Sequence, residues 1–178
     1  MNEREIIEGC LENNRESQKA LYDRFYGKML GVCLRYSNGS DEAKEMFHEG
    51  FFKVFKNLQN FRESNSLEEW VKRMIVNASI EHIRNNKQNR LIVSTVYANK
   101  NTVKQAQNMS DDKLVLHINK EEILKAIQQL TPGYRTVFNL FVIEGYPHKE
   151  IAEMLDISED TSKSNLAKAK FALRGNLM

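Results

Sequence analysis

The stretch from Gly145 to Arg174, GYPHKEIAEMLDISEDTSKSNLAKAKFALR, reads as two short helices joined by a tight turn. That is the outline of a DNA-reading helix-turn-helix. Ile151, Ala152 and Leu155 give the first helix an apolar face, and Ala152 is small enough to let two helices cross closely. Asp156 occupies the turn, where a left-handed residue is often needed; Gly is the easiest choice, and Asp tolerates positive φ better than most. Ser158 can cap a second helix whose inward side is Leu166, Ala169 and Leu173. Thr161, Lys163, Ser164, Asn165, Lys168 and Lys170 are expected to point away from that core as donors to phosphates and base edges. A Lys-rich outer face also arises from simple solvation, so the motif is weighed with the rest of the chain.

Outward from this stretch, 178 residues allow one or two small domains, and a 41% apolar fraction suffices for real cores. The charged start Met1-Asn2-Glu3-Arg4-Glu5 lacks the apolar run of a signal peptide, and no segment is apolar enough to span a bilayer, so a cytoplasmic protein without membrane insertion is expected. Cys10 and Cys33 lack metal-ligand spacing and read as buried thiols. The net charge of +2 argues against indiscriminate DNA coating, yet charge is segregated locally. Lys72, Arg73, Arg84, Lys87 and Arg90 accompany only Glu81, and Lys163, Lys168, Lys170 and Arg174 follow a mostly acidic stretch from Glu144 to Asp160. Two basic surfaces imply two contacts with nucleic acid.

An all-α architecture follows from the periodicity: two small helical domains joined by a linker, the C-terminal one a helix-turn-helix. Ser17 is expected to open a helix carrying Leu21, Phe25, Met29, Val32 and Tyr36, which Asn38-Gly39 ends. Asp41 reads as the N-cap of the next helix, with Ala43, Met46, Phe47, Gly50, Phe51, Val54, Phe55 and Leu58 on one face. Its other face, Glu42, Glu45, His48, Glu49, Lys53 and Lys56, is acidic in its N-terminal half and suits a basic partner. The polar loop Phe61 to Ser66 leads into Ser66-Leu67-Glu68-Glu69, a capping box. In the helix that follows, Trp70, Val71, Met74, Ile75, Ala78 and Ile83 form the apolar side, opposite Lys72, Arg73, Asn77, Arg84 and Lys87. Aromatic and basic groups beside a loop suit single-stranded DNA, although core packing is the simpler role for Trp70.

Periodicity fades from about Asn89 to His117, as in an interdomain linker, with Leu91, Ile92, Val93, Val96 and Tyr97 available for local packing. It resumes with Ile118, Ile123, Leu124, Ile127 and Leu130. Thr131-Pro132 then caps a helix carrying Val137, Phe138, Leu140 and Phe141, closed by Gly145.

This order of parts, from about Ser17 to Arg174, resembles the extracytoplasmic-function sigma factors of the sigma-70 superfamily. The resemblance implies a core-polymerase and minus-ten domain over 1–90, a linker over 91–117 and a minus-thirty-five domain over 118–178. The segment Asp41 to Phe55 is similar to the family's helix that grips the β′ clamp helices, which makes Asp41, Glu45, His48, Glu49 and Lys53 the implied polymerase contacts. The family usually has Asp at Glu45 and Gln at His48. Arg62, Asn65, Ser66, Trp70, Arg73, Asn77, Arg84 and Lys87 become the minus-ten contacts, the loop capturing an unstacked base without covalent chemistry. Unstacking costs only a few kcal/mol per step, within reach of a pocket and several phosphate contacts. Glu159, Asp160, Thr161, Lys163, Ser164, Asn165, Lys168 and Lys170 fall at the minus-thirty-five element. Relatives carry more Arg here, so guanine reading through bidentate contacts is weaker and the preferred sequence unusual. The implied partners are core RNA polymerase (the β′ clamp helices and the β subunit), promoter DNA and an anti-sigma factor.

Two other classes remain for comparison. An autonomous helix-turn-helix regulator would bind a two-fold operator tightly without polymerase, which two basic surfaces and an acidic helix disfavour. An enzyme would need a convergent metal or acid-base site; the scattered His48, His82, His117 and His148 offer none, and neither a catalytic residue, a metal nor a cofactor is expected. With Met178 so close behind the second helix, no additional regulatory domain is expected.

Overall fold

The computed structural model describes residues 1–86 and 119–177. These residues are helical, with no strand among them, and the chain divides into two compact units, Met1–His82 and Ile83–Met178. The division falls in the last full turn of a helix. The expected linker over 91–117, Lys87, Arg90 and Ile118 lie outside the described residues.

In the first unit, α1 (Glu3–Leu11) is a helix without a periodic signature in the sequence. Only Ile6 and Cys10 of it are buried, too few to give a periodic signal in a charged segment. Asn2 and Glu5 close a reciprocal capping box that fixes its start. Helix α2 (Arg15–Tyr36) begins two residues before the expected Ser17, because Asn14 accepts from the backbone N–H groups of Glu16 and Ser17. Its Leu21, Phe25, Met29, Val32 and Tyr36 are buried as the spacing requires. Helix α3 (Ser40–Asn57) is capped by Gly39 rather than Asp41, which lies inside the first turn; there its carboxylate faces the positive helix terminus instead of capping it. A short 3₁₀ turn, Leu58–Asn60, leads through the loop to α4 (Leu67–Asn85).

Helices α3 and α4 approach closely at Gly50. A Cβ there would lie 2.7 Å from Ile75 Cδ1, 3.2 Å from Ile75 Cα and 3.3 Å from Ala78 Cβ, so a larger residue would require α4 to give way. Tyr22 and Tyr26 of α2 stack on each other with centroids 5.5 Å apart, and both meet Phe47 edge to face. Phe47 and Phe51 of α3 stack at 5.2 Å. This aromatic seam joins α2 to α3 with the offset and edge geometries that rings prefer.

The second unit contains α5 (Lys120–Gln128), α6 (Pro132–Phe138), α7 (His148–Leu155) and α8 (Glu159–Leu177). Ala126, Ile127 and Leu130 pack with Ala169 and Leu173 of α8, and Tyr134, Phe138 and Leu177 close the cluster's edges. Thr131 precedes the first-turn Pro132 as expected, though α6 continues into a wider turn, Asn139–Ile143, marked by Glu144 N–H donating to the Asn139 carbonyl at 2.9 Å. Gly145, at φ 79°, then reverses the chain in a conformation that glycine adopts without strain.

Arg135 is the largest fully buried side chain, 2% exposed. Its guanidinium donates to the carbonyls of Ile127 at 3.3 Å, Gln128 at 2.8 Å and Leu130 at 2.7 Å. These carbonyls lie at and just beyond the end of α5, at the negative pole of the helix, where the Ile127 carbonyl also accepts from the Leu130 N–H at 3.1 Å, so the buried cation adds a C-cap delivered from the next helix. An arginine in that role has no signature in hydrophobic spacing.

Candidate nucleic-acid and protein-binding surfaces

In the second unit, Asp156 takes φ 54° and ψ 50°, the left-handed turn conformation expected between the two helices. The Ile157 N–H reaches back to the Ala152 carbonyl at 3.0 Å, closing α7, and Ser158 Oγ accepts from the Thr161 N–H at 3.0 Å, opening α8. Ile151 and Ala152 are buried and Leu155 half-buried, while Leu166, Ala169 and Leu173 form the inner stripe of α8. The outer surface carries exposed Glu159, Asp160 and Lys163, with Thr161, Ser164, Lys168 and Lys170 half-buried at its margins.

Asn165 departs from the expectation: it is 2% exposed and faces inward. Ser162, Asn165, Leu166, Ala169 and Leu173 follow one another at three- and four-residue steps, so they share one side of α8. Two polar residues on that stripe disguised its width, and Asn165 is no longer a candidate for direct base contact. Ser162 has a partner in His148, whose Nδ1 lies 2.8 Å from its Oγ. The His148 ring stacks on Phe141 with centroids 4.4 Å apart. Burial, then the nearby Lys163, holds the imidazole below its ordinary pKa, with Glu159 opposing, so His148 ties α7 to α8 as a neutral ring.

In the first unit, Phe61 at the start of the loop and Trp70 in the first turn of α4 meet edge to face, centroids 5.6 Å apart. Both rings are half-buried, which agrees with packing as the first role of Trp70. Between them Arg62, Asn65 and Ser66 are exposed, the Asn65 N–H turning back on the Arg62 carbonyl at 3.0 Å. Ser66 Oγ accepts a long 3.4 Å bond from the Glu69 N–H, the cap that the sequence indicated. Arg73, Asn77 and Arg84 are exposed on α4, and their spacing of four and seven places them along one side. Glu81 interrupts that side, but Lys53 of α3 pairs with it and cancels its charge locally.

The outer face of α3 exposes Asp41, Glu45, His48 and Glu49. Tyr22 Oη lies 3.4 Å from His48 Nε2, and His82 of α4 reaches Glu49. Lys53 is half-buried in its pair with Glu81, so it contributes to the face less directly than expected. Phe52, 68% exposed in the middle of this face, was missed, since apolar residues were assigned inward by default. Its position three residues after Glu49 and four after His48 could have marked it as part of the outer face. Among the described residues no group of three or more His, Cys, Asp or Glu is placed to hold a metal, and no helix is long and apolar enough to cross a membrane.

Comparison with known proteins agrees with this layout. Residues 21–89 match Sigma-70 region 2 and residues 120–173 match Sigma-70, region 4, which together account for more than two thirds of the chain. The chain is 26% identical over 176 residues to the ECF RNA polymerase sigma factor SigW of Bacillus subtilis, covering 96% of this chain and 94% of that protein. It is 23% identical over 182 residues to the RNA polymerase sigma-H factor of Pseudomonas aeruginosa, covering 96% and 91%. The sigma factor RpoE from Bartonella quintana, crystallised with the anti-sigma factor NepR, shares the fold with a TM-score of 0.53 at 16% identity, over 89% of this chain and 95% of that one. With both sigma regions present in order, the chain belongs to the sigma-70 superfamily, among its extracytoplasmic-function RNA polymerase sigma factors.

Proposed function

We propose that this sigma factor binds core RNA polymerase through the outer face of α3, opens the minus-ten element with the Phe61 to Ser66 loop and α4, and reads the minus-thirty-five element with α8. The observation that carries the reading is the division of α3, whose inner face is buried aromatic core while Asp41, Glu45, His48 and Glu49 stand exposed. Carboxylates held on a helix that is rigid from behind suit a basic helical partner such as the β′ clamp, and electrostatic steering speeds such encounters. Arg62, Asn65, Arg73, Asn77 and Arg84 supply the donors for a displaced strand and its phosphates. On α8, Thr161, Lys163, Ser164, Lys168 and Lys170 supply the major-groove and backbone contacts, with Glu159 and Asp160 at its N-terminal edge.

The mechanism needs no chemistry of its own: the factor works as a non-catalytic cytoplasmic subunit that supplies recognition and stabilises unstacked DNA. An anti-sigma factor covering the same surfaces would hold it inactive; the Bartonella relative was crystallised in complex with an anti-sigma factor. The test is capture of purified bacterial core RNA polymerase by the wild-type chain and by a Glu45→Lys, Glu49→Lys variant, followed by transcription from promoter fragments. Stoichiometric capture with promoter-specific transcripts, lost on charge reversal, is the expected result. Absence of capture by the wild type, with tight binding to duplex DNA alone, would overturn the reading in favour of an autonomous regulator.

A further inference from the structure

We infer that His82 is a positioning residue for polymerase binding, a donor on α4 that fixes the exposed Glu49 carboxylate of α3 before the partner arrives. The inference rests on the reading of α3 as the polymerase-facing helix. His82 Nδ1 lies 3.2 Å from both carboxylate oxygens of Glu49. A carboxylate only accepts, so Nδ1 carries the hydrogen and the ring orientation is set. On its other side, His82 Nε2 lies 3.6 Å from Glu42 Oε1. Glu42 is itself anchored, its Oε2 accepting from the Asn38 N–H at 2.6 Å in the turn before α3.

Glu42 and Glu49 lie seven residues apart, two turns along the same side of α3, and the imidazole of α4 spans the gap between them. The side chains of His82 and Glu42 are only 15% and 16% exposed, against 53% for Glu49. The Glu49 carboxylate in solvent is thus held by a donor on a shielded ring, a contact screened less than one between two fully exposed groups. An unsupported surface glutamate loses several rotatable bonds on docking; one already held loses less, and this is the means by which preorganisation raises affinity. Glu45, one turn earlier on α3 and also exposed, lies outside these contacts and serves as the internal reference.

The experiment is a double-mutant cycle on the full-length chain, with affinity for purified core RNA polymerase measured by titration and folding monitored by circular dichroism and thermal melting. His82→Leu is expected to weaken binding about five- to tenfold, the range open to a contacting polar pair, and to have no further effect in a Glu49→Ala background. His82→Asn, which keeps a donor near the Nδ1 position, is expected to recover most of the loss and serves as the comparison should the leucine variant fold poorly. Equal losses in the wild-type and Glu49→Ala backgrounds, or tighter binding by the leucine variant, would overturn the inference. If the wild type binds core polymerase and Glu45→Lys weakens it while His82→Leu does not, only the role of His82 fails; if the wild type does not bind, the reading of α3 fails with it.

Discussion

The two helical units bury different chemistry. The core of Met1–His82 is aromatic and aliphatic, with Ser17, Ser37 and Ser79 as its buried polar side chains, whereas the unit from Ile83 onward buries Arg135, Thr136, Asn139, Ser162 and Asn165. The first is held mainly by buried area, which is non-directional, with ring packing adding preferred geometries along the aromatic seam. The second relies on directed hydrogen bonds: Thr136 Oγ1 donates to the Pro132 carbonyl at 2.7 Å, Asn139 Nδ2 to the Arg135 carbonyl at 3.0 Å, and Arg135 closes the end of α5. An apolar core tolerates exchange among residues of similar volume, but a directed contact does not.

The largest expected effect exposes that contrast through two volume-preserving substitutions. Arg135→Met keeps the buried aliphatic length and removes the guanidinium's bonds to the Ile127, Gln128 and Leu130 carbonyls at a buried helix end. The expected loss is about 3 kcal/mol in the C-terminal unit, since each orphaned buried acceptor costs about 1–3 kcal/mol and part of this is relieved by water. Phe47→Leu in the N-terminal core should cost less than about 1.5 kcal/mol. Urea unfolding followed by site-resolved amide exchange reports each unit separately. Equal losses in the two variants would remove the distinction.

Gly50→Ala tests whether the apolar unit is as forgiving where backbones meet. The new methyl would sit 2.7 Å from Ile75 Cδ1, which can rotate, and also 3.2 Å from Ile75 Cα, which cannot. Overpacking of this kind costs about 1–3 kcal/mol, and about 2 kcal/mol is expected despite the gain in helix propensity. Thermal melting of the N-terminal unit measures it, and a neutral or stabilising outcome would mean that α3 and α4 can part freely.

The same difference explains what was legible in the sequence. Leu21, Phe25, Met29, Ala43, Phe47 and Val54 are apolar at helical spacing and buried, so the helices of the first unit could be read from pattern alone. Helix α1 escaped because it hides only Ile6 and Cys10, and the tightness at Gly50 escaped because close approach is a relation between helices. In the second unit the turn was legible, Asp156 and Ser158 each performing the backbone task that their side chains favour. Asn165 is not legible for the converse reason: polarity does not mark exposure in a unit that buries polar groups. The candidate surfaces were largely legible as charges on helical faces. The contacts of Glu49 with His82 and of Lys53 with Glu81 were not, since they join residues 33 and 28 positions apart.

The smallest expected effect separates the units by pH. His148 stacks on Phe141 and bonds Ser162, and burial followed by Lys163 and Lys170 disfavours its charged form, with Glu159 opposing. Its pKa is therefore lower folded than unfolded, and the unfolded chain takes up the proton first as pH falls below the ordinary histidine value of about 6.5. Stability of the C-terminal unit should be unaffected by this group above that value, decline as pH falls through it, and level off once pH passes the lower folded value. His148→Phe keeps a ring against Phe141 and forfeits the bond to Ser162, so it should lower stability at neutral pH while flattening the slope between pH 7 and the acid range. Amide exchange within α7 and α8 at a series of pH values measures both parts. An unchanged slope in the variant would assign the acid sensitivity to other groups, whereas a flattened one would make the neutral histidine a working part of a core built on directed bonds.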